Sequence, residues 1–321
     1  MHRGATIEHP AEQAPGKREA ADLHGQFRGR ESPGRPPPPL RAAGWRLILG
    51  GLARAPLGGL SRLTGAAADA AIPGPMRVPL FRAFARAVGA DLSESARPPA
   101  AFETFDAFFT RRLRPGVRSW PTDPSVAGSP VDGVVGRHGA VVEGRALQAK
   151  GRDYALAALL GDATEAAHFA HGSYLTIYLA PRHYHRVHAP VGGGLATTRH
   201  LPGRRMPVHA AAVALLAELF AGNERVACRL DADQGTVAVV AVGATNVGRI
   251  GVPAVPGWEA AAPTAIAKAH RPPIGLDRGD EMMVFHLGST VVLLFDAAFR
   301  LDPGLKRGAE IRLGDPIARP A

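Results

Sequence analysis

The sequence predicts an α+β protein, with N-terminal amphipathic helices followed by a β-rich, mostly antiparallel domain. Three observations carry that class. From about residue 101 onward short strand-patterned runs dominate, among them SYLTIYLA (173–180), RVACRL (225–230), GTVAVVAVGA (235–244) and TVVLLF (290–295). Residues 41–100 hold short, arginine-rich, helix-compatible pieces instead. There is no internal repeat and no βαβ alternation with a glycine-rich phosphate loop, so the strands do not read as a doubly wound parallel sheet.

Residues 1–40 mix six Lys/Arg with five Asp/Glu and hold 12 Pro plus Gly without an apolar segment, so they read as a disordered tail ending in the stiff run Pro36 to Pro39. That composition also excludes a signal peptide. Residues 41–100 follow as a cationic helical region, in which eight arginines between 41 and 97 face only Asp69, Asp91 and Glu94. In VPLFRAFARAV, Leu80, Phe81, Phe84, Ala85 and Val88 fall on one helical face, and Arg82 and Arg86 on another. Two readings fit: a helix lying on a membrane surface, or one packed on its own domain, the second being preferred from this window alone. Prolines 56, 73, 75 and 79 are expected to divide the region into short helices.

Residues 101–321 form the β-rich domain. In SYLTIYLA, Leu175, Ile177 and Leu179 alternate with Tyr174, Thr176 and Tyr178, the pattern of a half-buried strand. HAAAVALLAELFAG (209–222) reads as one helix ended by Gly222-Asn223, and DYALAALLG (153–161) as a shorter one.

The bulk numbers bound the function. With 46% hydrophobic residues the chain can bury a core, and 38 Gly with 29 Pro favour short elements and many turns. The single cysteine, Cys228, excludes an internal disulfide framework and a cysteine-based zinc site, and is compatible with a reducing compartment. The formal charge of +10 suits an anionic partner, but aromatics at 6% do not give the basic-aromatic interleaving of nucleic-acid binding. No run approaches the ~20 apolar residues of a membrane-spanning helix.

Three stretches carry candidate chemistry. YLAPRHYHRVHAP (178–190) follows a strand and holds His183, His185 and His188. It is open to three readings: a metal site similar to the H-x-H-x-D-H loops of metallo-hydrolases, although Val187 stands at the aspartate position; a solvated basic loop; or acid–base catalysis by one or two histidines. SPVDGVVG (129–136) carries Asp132 before Gly133, either a turn signal or a carboxylate that orients a histidine. FHLGSTVVLLF (285–295) places Gly288, Ser289 and Thr290 at the mouth of an apolar run, without the G-x-S-x-G elbow of serine hydrolases.

Taken in order, FDAFFTRRLRPGVR (105–118), SPVDGVV (129–135), LQAKGRDYALAALLG (147–161), YLAPRHYHRVHAPVGG (178–193), NERVACRLD (223–231), VAVGATNVGRI (240–250) and GDEMMVFHLGSTVVLLF (279–295) resemble the bacterial, pyruvoyl-dependent phosphatidylserine decarboxylases. The resemblance spans about residues 78–315, and YHRVHAP followed by LGST is its most specific pairing.

The resemblance implies a proenzyme that cuts itself between Gly288 and Ser289. The Ser289 hydroxyl attacks the preceding carbonyl to give an ester; elimination and loss of ammonia then leave a pyruvoyl group at the new terminus. The products are a β chain, 1–288, and an α chain, 289–321, held as a heterodimer that is itself a candidate to dimerise. Asp132 and His188 complete a triad with Ser289, His188 acting as base, and His185 assists decarboxylation. The pyruvoyl ketone forms a Schiff base with the lipid amine and acts as electron sink, converting phosphatidylserine to phosphatidylethanolamine and carbon dioxide. Glycine at 288 suits this cut because it offers little steric hindrance and permits unusual backbone angles.

The implied location is peripheral, on the cytoplasmic side of the cell membrane, so the 41–100 region becomes a docking surface for an anionic phospholipid membrane. Nucleic acid is not an expected partner, and no resident metal is expected. The departures from the family pattern are His183 where Asp is usual, His209 where Asn is common, Arg249 for a small residue and Met283 for a glycine. Two other functions stand beside the decarboxylase: a metal-dependent hydrolase built on His183, His185 and His188, and a membrane-binding module that has lost processing.

Overall fold

The computed structural model describes residues 64–149, 152–244, 249–258, 264–286 and 289–321. The expected tail (1–40), the first part of the helical region (41–63) and Gly288 lie outside the described residues.

Residues 64–69 are helical. Helix α1 spans Gly74–Val88, a 3-10 turn Pro99–Ala101, and α2 Phe105–Phe109. Strands β1 (Ala127–Gly128), β2 (Gly133–Ala140), β3 (Arg145–Ala149) and β4 (Arg152–Ala155) lead to helices α3 (Leu156–Leu160) and α4 (Ala163–Ala167). Then come β5 (Ser173–Leu179), β6 (Arg186–His188), β7 (Gly193–Leu201), α5 (Ala210–Leu215), α6 (Leu219–Gly222), β8 (Arg225–Ala232) and β9 (Gly235–Gly243). The chain closes with β10 (Ile250–Gly251), β11 (Ile266–Leu276), β12 (Glu281–Phe285), β13 (Ser289–Phe295), β14 (Phe299–Leu301), β15 (Glu310–Ile311) and β16 (Pro316–Pro320).

The principal sheet has eight strands in the order β11-β7-β8-β9-β13-β5-β2-β15, antiparallel throughout. A three-stranded sheet, β10-β12-β6, carries one wall of the site described below. The mixed class with mostly antiparallel strands is thus as the sequence predicts.

Strand β13 sits inside the sheet, between β9 and β5, and Val291 to Phe295 are fully buried. That explains a continuous apolar run in place of alternation: both faces of a central strand are covered. The same covering corrects the half-buried reading of β5, where Tyr174 and Thr176 are buried alongside Leu175, Ile177 and Leu179.

Other expectations are revised for physical reasons. Pro73 and Pro75 separate α1 from the helical residues 64–69 as expected, Pro73 as its N-cap and Pro75 in its first turn, but Pro79 lies inside α1 without ending it. Phe81 stacks on Phe108 with ring centroids 4.3 Å apart, and Phe84 meets Phe105 edge-on at 4.9 Å. The inner face of α1 therefore packs on its own protein, and α1 continues through Pro79 because those contacts outweigh one missing helical bond.

The helix expected over 209–222 is two, α5 and α6. Leu216 is extended, Glu218 has φ 47°, and the break is filled by buried Gln148. Its Nε2 donates to the carbonyls of Val213 (2.9 Å) and Leu216 (2.6 Å), and its Oε1 accepts from the Leu219 N–H (2.8 Å). Likewise Asp153 and Tyr154 belong to β4, and only Leu156 onward is helical.

Candidate active site

Strand β5 delivers the chain directly into the histidine turn. Its last residue, Leu179, is paired with Ser289, which opens β13 and is paired on its other side with Gly243. The backbone at 289 is thus fixed by two neighbouring strands, and the turn carrying His183, His185 and His188 begins one residue after its partner.

The histidines are not a solvated loop. His183 is 7% exposed and His185 fully buried. The Ala180 N–H donates to His183 Nδ1 (2.9 Å), so the proton of this ring sits on Nε2, which donates to Glu310 Oε2 at 3.0 Å. Burial, with Arg182 beside it, holds the His183 pKa below the usual histidine value. This ring closes the turn.

His185 donates through Nδ1 to the His183 carbonyl at 2.9 Å, which leaves the lone pair on Nε2. That Nε2 is buried and has no hydrogen-bond partner. The Phe109 ring lies 4.1 Å from the imidazole, and burial pushes the pKa down to about 3, so the ring is neutral at pH 7.

His188, in β6, is held by its N–H to the Pro130 carbonyl (2.9 Å) and by Nδ1, which donates to the Gly279 carbonyl at 2.7 Å. Gly279 has φ 94°, a left-handed conformation that favours glycine. His188 Nε2 is therefore the basic nitrogen, and it accepts from the Tyr184 hydroxyl at 3.0 Å. Burial lowers the His188 pKa and raises that of Tyr184, so base and phenol both stay neutral.

Asp132 is 6% exposed and precedes β2. Its carboxylate takes a two-point contact from Arg118 (Nε to Oδ1 2.9 Å, Nη2 to Oδ2 2.6 Å) and the Leu313 N–H at 2.7 Å. Arg118 forks a second time to Glu94, at 3.0 and 2.7 Å. The bond between His188 N–H and Pro130 brings the Asp132 segment against β6, but carboxylate and imidazole are bonded to other groups and not to each other. Arg111, 4% exposed, adds a guanidinium laid over the Phe108 ring at 5.4 Å, with its Nε buried and unpartnered.

Of the departures, Met283 is buried with its sulfur 3.9 Å from Cys228 Sγ, and Arg249 is ion-paired to Asp69 at 2.7 Å. Sequence reasoning missed Tyr184, Arg118 and Arg111 as parts of the site. The available signal was position: Tyr184 is four residues before His188, and both arginines lie in FDAFFTRRLRPGVR.

Among the described residues no three His, Cys, Asp or Glu side chains are grouped to hold a metal ion. This corrects the metal-hydrolase alternative on His183, His185 and His188. Four of their six ring nitrogens are bonded to protein groups in different directions, a fifth is hydrogen-bonded to Tyr184, and a metal needs lone pairs that converge.

A family model described as phosphatidylserine decarboxylase matches residues 105–319. The chain is 45% identical over 278 residues to the phosphatidylserine decarboxylase proenzyme of Anaeromyxobacter sp. (strain K), covering 85% of this chain and 98% of that protein. It is 40% identical over 274 residues to the proenzyme of the same description from Bordetella petrii (81% and 93% covered), and 40% identical over 265 residues to that from Myxococcus xanthus (82% and 94% covered).

Proposed function

The chain belongs to the phosphatidylserine decarboxylase family, and on that premise we propose that it cuts itself between Gly288 and Ser289 and then converts phosphatidylserine to phosphatidylethanolamine and carbon dioxide. The observation that carries the reading is the register of β13. Ser289 opens a central strand, locked against Leu179 and Gly243, and Leu179 leads straight into the histidine turn.

For the cut, His188 is the base. Its proton is fixed on Nδ1 by the Gly279 carbonyl, so Nε2 is free to take the Ser289 hydroxyl proton once the Tyr184 hydroxyl yields its place. Asp132 acts as the fixed negative charge of the group: Arg118 and Leu313 hold it still, and its field favours the imidazolium formed in the step.

The cofactor reading is a pyruvoyl group derived from Ser289, which would supply an electron sink for decarboxylation. One buried, unpartnered polar atom fits a site built for a polar group: His185 Nε2, in the histidine turn that follows Leu179, the strand partner of Ser289. His185 is neutral with its lone pair on Nε2, so toward a substrate it accepts a hydrogen bond or a proton and does not donate one. The Phe109 ring at 4.1 Å helps exclude water from it.

Docking to an anionic bilayer rests on α1. Met76 and Leu80 are 57% and 43% exposed, four residues apart on one face, and Arg82 and Arg86 are exposed on another face of the same helix. Exposed apolar side chains that can enter the headgroup boundary, on a helix that also carries cations to meet anionic lipid, suit a helix lying on a lipid surface. No helix among the described residues is long and apolar enough to cross a membrane. As the resemblance implies, the proposed location is peripheral, on the cytoplasmic side of the cell membrane, with chains 1–288 and 289–321 paired.

The test uses the full chain with phosphatidylserine vesicles. Wild type releases carbon dioxide and forms the ethanolamine lipid, and Ser289→Ala does neither. Full decarboxylation by Ser289→Ala would overturn the reading.

A further inference from the structure

We propose that Asp106, His286 and Arg249 form a clamp that positions the chain ahead of Ser289 for self-cleavage. The inference rests on the cleavage site proposed above and assigns a function to one of the departures from the family pattern, Arg249.

The described residues nearest the 288–289 junction are held differently on its two sides. Downstream, Ser289 is fixed by ladders to both β5 and β9. Upstream, the ladder of β12 with β10 ends at Phe285, paired with Ile250, and His286 is the last residue described before the junction.

His286 is nevertheless fixed twice. Its backbone N–H donates to the Arg249 carbonyl at 3.1 Å, and its Nδ1 lies 2.9 Å from both oxygens of Asp106. Carboxylate oxygens only accept, so Nδ1 carries the proton. Arg249 completes the group: its Nη2 is 3.5 Å from Asp106 Oδ1 and 2.7 Å from Asp69 Oδ1.

Asp106 is a firm anchor. It stands in the first turn of α2, which Thr104 caps by accepting the Ala107 N–H at 3.1 Å. Phe108 and Phe109 of the same helix are buried, the latter against His185. The clamp thus ties the upstream side of the junction to the helix that packs on the proposed decarboxylation histidine.

Attack by a hydroxyl on the neighbouring carbonyl is an intramolecular step whose rate depends on how well both groups are held in reacting geometry. One side alone, however rigid, does not fix the angle of approach. The clamp supplies the other side, and it serves the cut more than the turnover that follows, because after the cut the upstream chain ends at Gly288. His286, Asp106 and Arg249 are positioning residues: they act through the backbone and not on the reacting atoms.

The experiment follows the appearance of the two chains over time after cell-free synthesis of the full-length protein. It then measures decarboxylation per cleaved chain and melting temperature. His286→Ala is expected to slow cleavage tenfold or more, and Arg249→Ser, at a side chain 39% exposed, threefold or more. Arg249→Lys is expected to recover most of the rate. In each case turnover per cleaved chain falls much less than the cleavage rate.

Cleavage within twofold of wild type in both His286→Ala and Arg249→Ser would overturn the clamp. So would equal losses in cleavage and in turnover, the mark of a merely structural role. A wild-type chain that stays whole would instead overturn the self-processing reading, and the clamp with it.

Discussion

Replacing Arg118 by leucine removes the partner of a buried carboxylate while keeping an apolar stem of similar bulk. In the native protein the Arg118 guanidinium spans Asp132 (2.9 and 2.6 Å) and Glu94 (3.0 and 2.7 Å), with side-chain exposures of 8% for Arg118, 9% for Asp132 and 22% for Glu94. The hydrogen bonds to Asp132 hold the Arg118 pKa above its ordinary value, a sign that the charged pair is favoured in place. Breaking a buried pair from one side typically costs ~3–5 kcal/mol, because the remaining charge stays out of water. Glu94 is exposed enough to be rehydrated, and Asp132 keeps the Leu313 N–H, so the lower end, about 3 kcal/mol, is expected. Against a total stability of ~5–15 kcal/mol that is a large fraction. The assay is urea denaturation at pH 7 in a Ser289→Ala background, so that a single chain is followed. Adding Asp132→Leu to Arg118→Leu should recover part of the loss, since the orphan charge is then gone. A loss below about 0.5 kcal/mol in the single variant, the range of an ordinary surface change, would refute the reasoning. Strict additivity in the double variant would refute it equally.

Three further outcomes follow from the site. His185→Gln should still cut but decarboxylate ~100-fold or more slowly, within the range of a lost acid–base group. It should also flatten the acid dependence of stability. With the folded-state pKa at about 3 and the unfolded value near 6.5, only the unfolded chain binds this proton between those limits, so wild type loses stability as pH falls through that window, by about 1.4 kcal/mol per unit; urea midpoints at pH 7, 6 and 5 that run parallel in both proteins would contradict this. His183→Ala should lower stability by ~1–3 kcal/mol by orphaning the buried Ala180 N–H, while dialysis against a chelator leaves wild-type activity intact. Arg82→Glu with Arg86→Glu should weaken binding to phosphatidylserine vesicles by about 30-fold or more in a flotation assay, from ~1 kcal/mol per basic residue near an anionic surface.

The strands were legible because their signal is local. Apolar runs such as Val291 to Phe295 and the alternation in SYLTIYLA need no distant information. What hides them is how many faces are covered, which sequence spacing does not carry: Tyr174 and Thr176 alternate like an outer face and are buried. The break between α5 and α6 was illegible because its cause, Gln148, lies more than sixty residues earlier in the chain. Pro79 inside α1 is the same lesson, since the contact that overrides it is made by Phe81 on Phe108. In the site, the residue types that do chemistry stood out in the sequence, but their partners did not. His183, His185 and His188 look equivalent at their spacing. They differ through Glu310, the His183 carbonyl, Gly279 and Tyr184, which set the proton of each ring. Likewise Asp132 next to Gly133 reads as a turn until Arg118 and Leu313 are brought to it by the fold.

Self-processing turns on one peptide bond, and the intact mass of the purified wild-type polypeptides reports on that bond without intermediates. Two chains are expected, residues 1–288 and 289–321, the shorter one lighter by one ammonia than a chain that begins with serine and lacking a free terminal amine. A single uncut chain in protein that decarboxylates phosphatidylserine would contradict it.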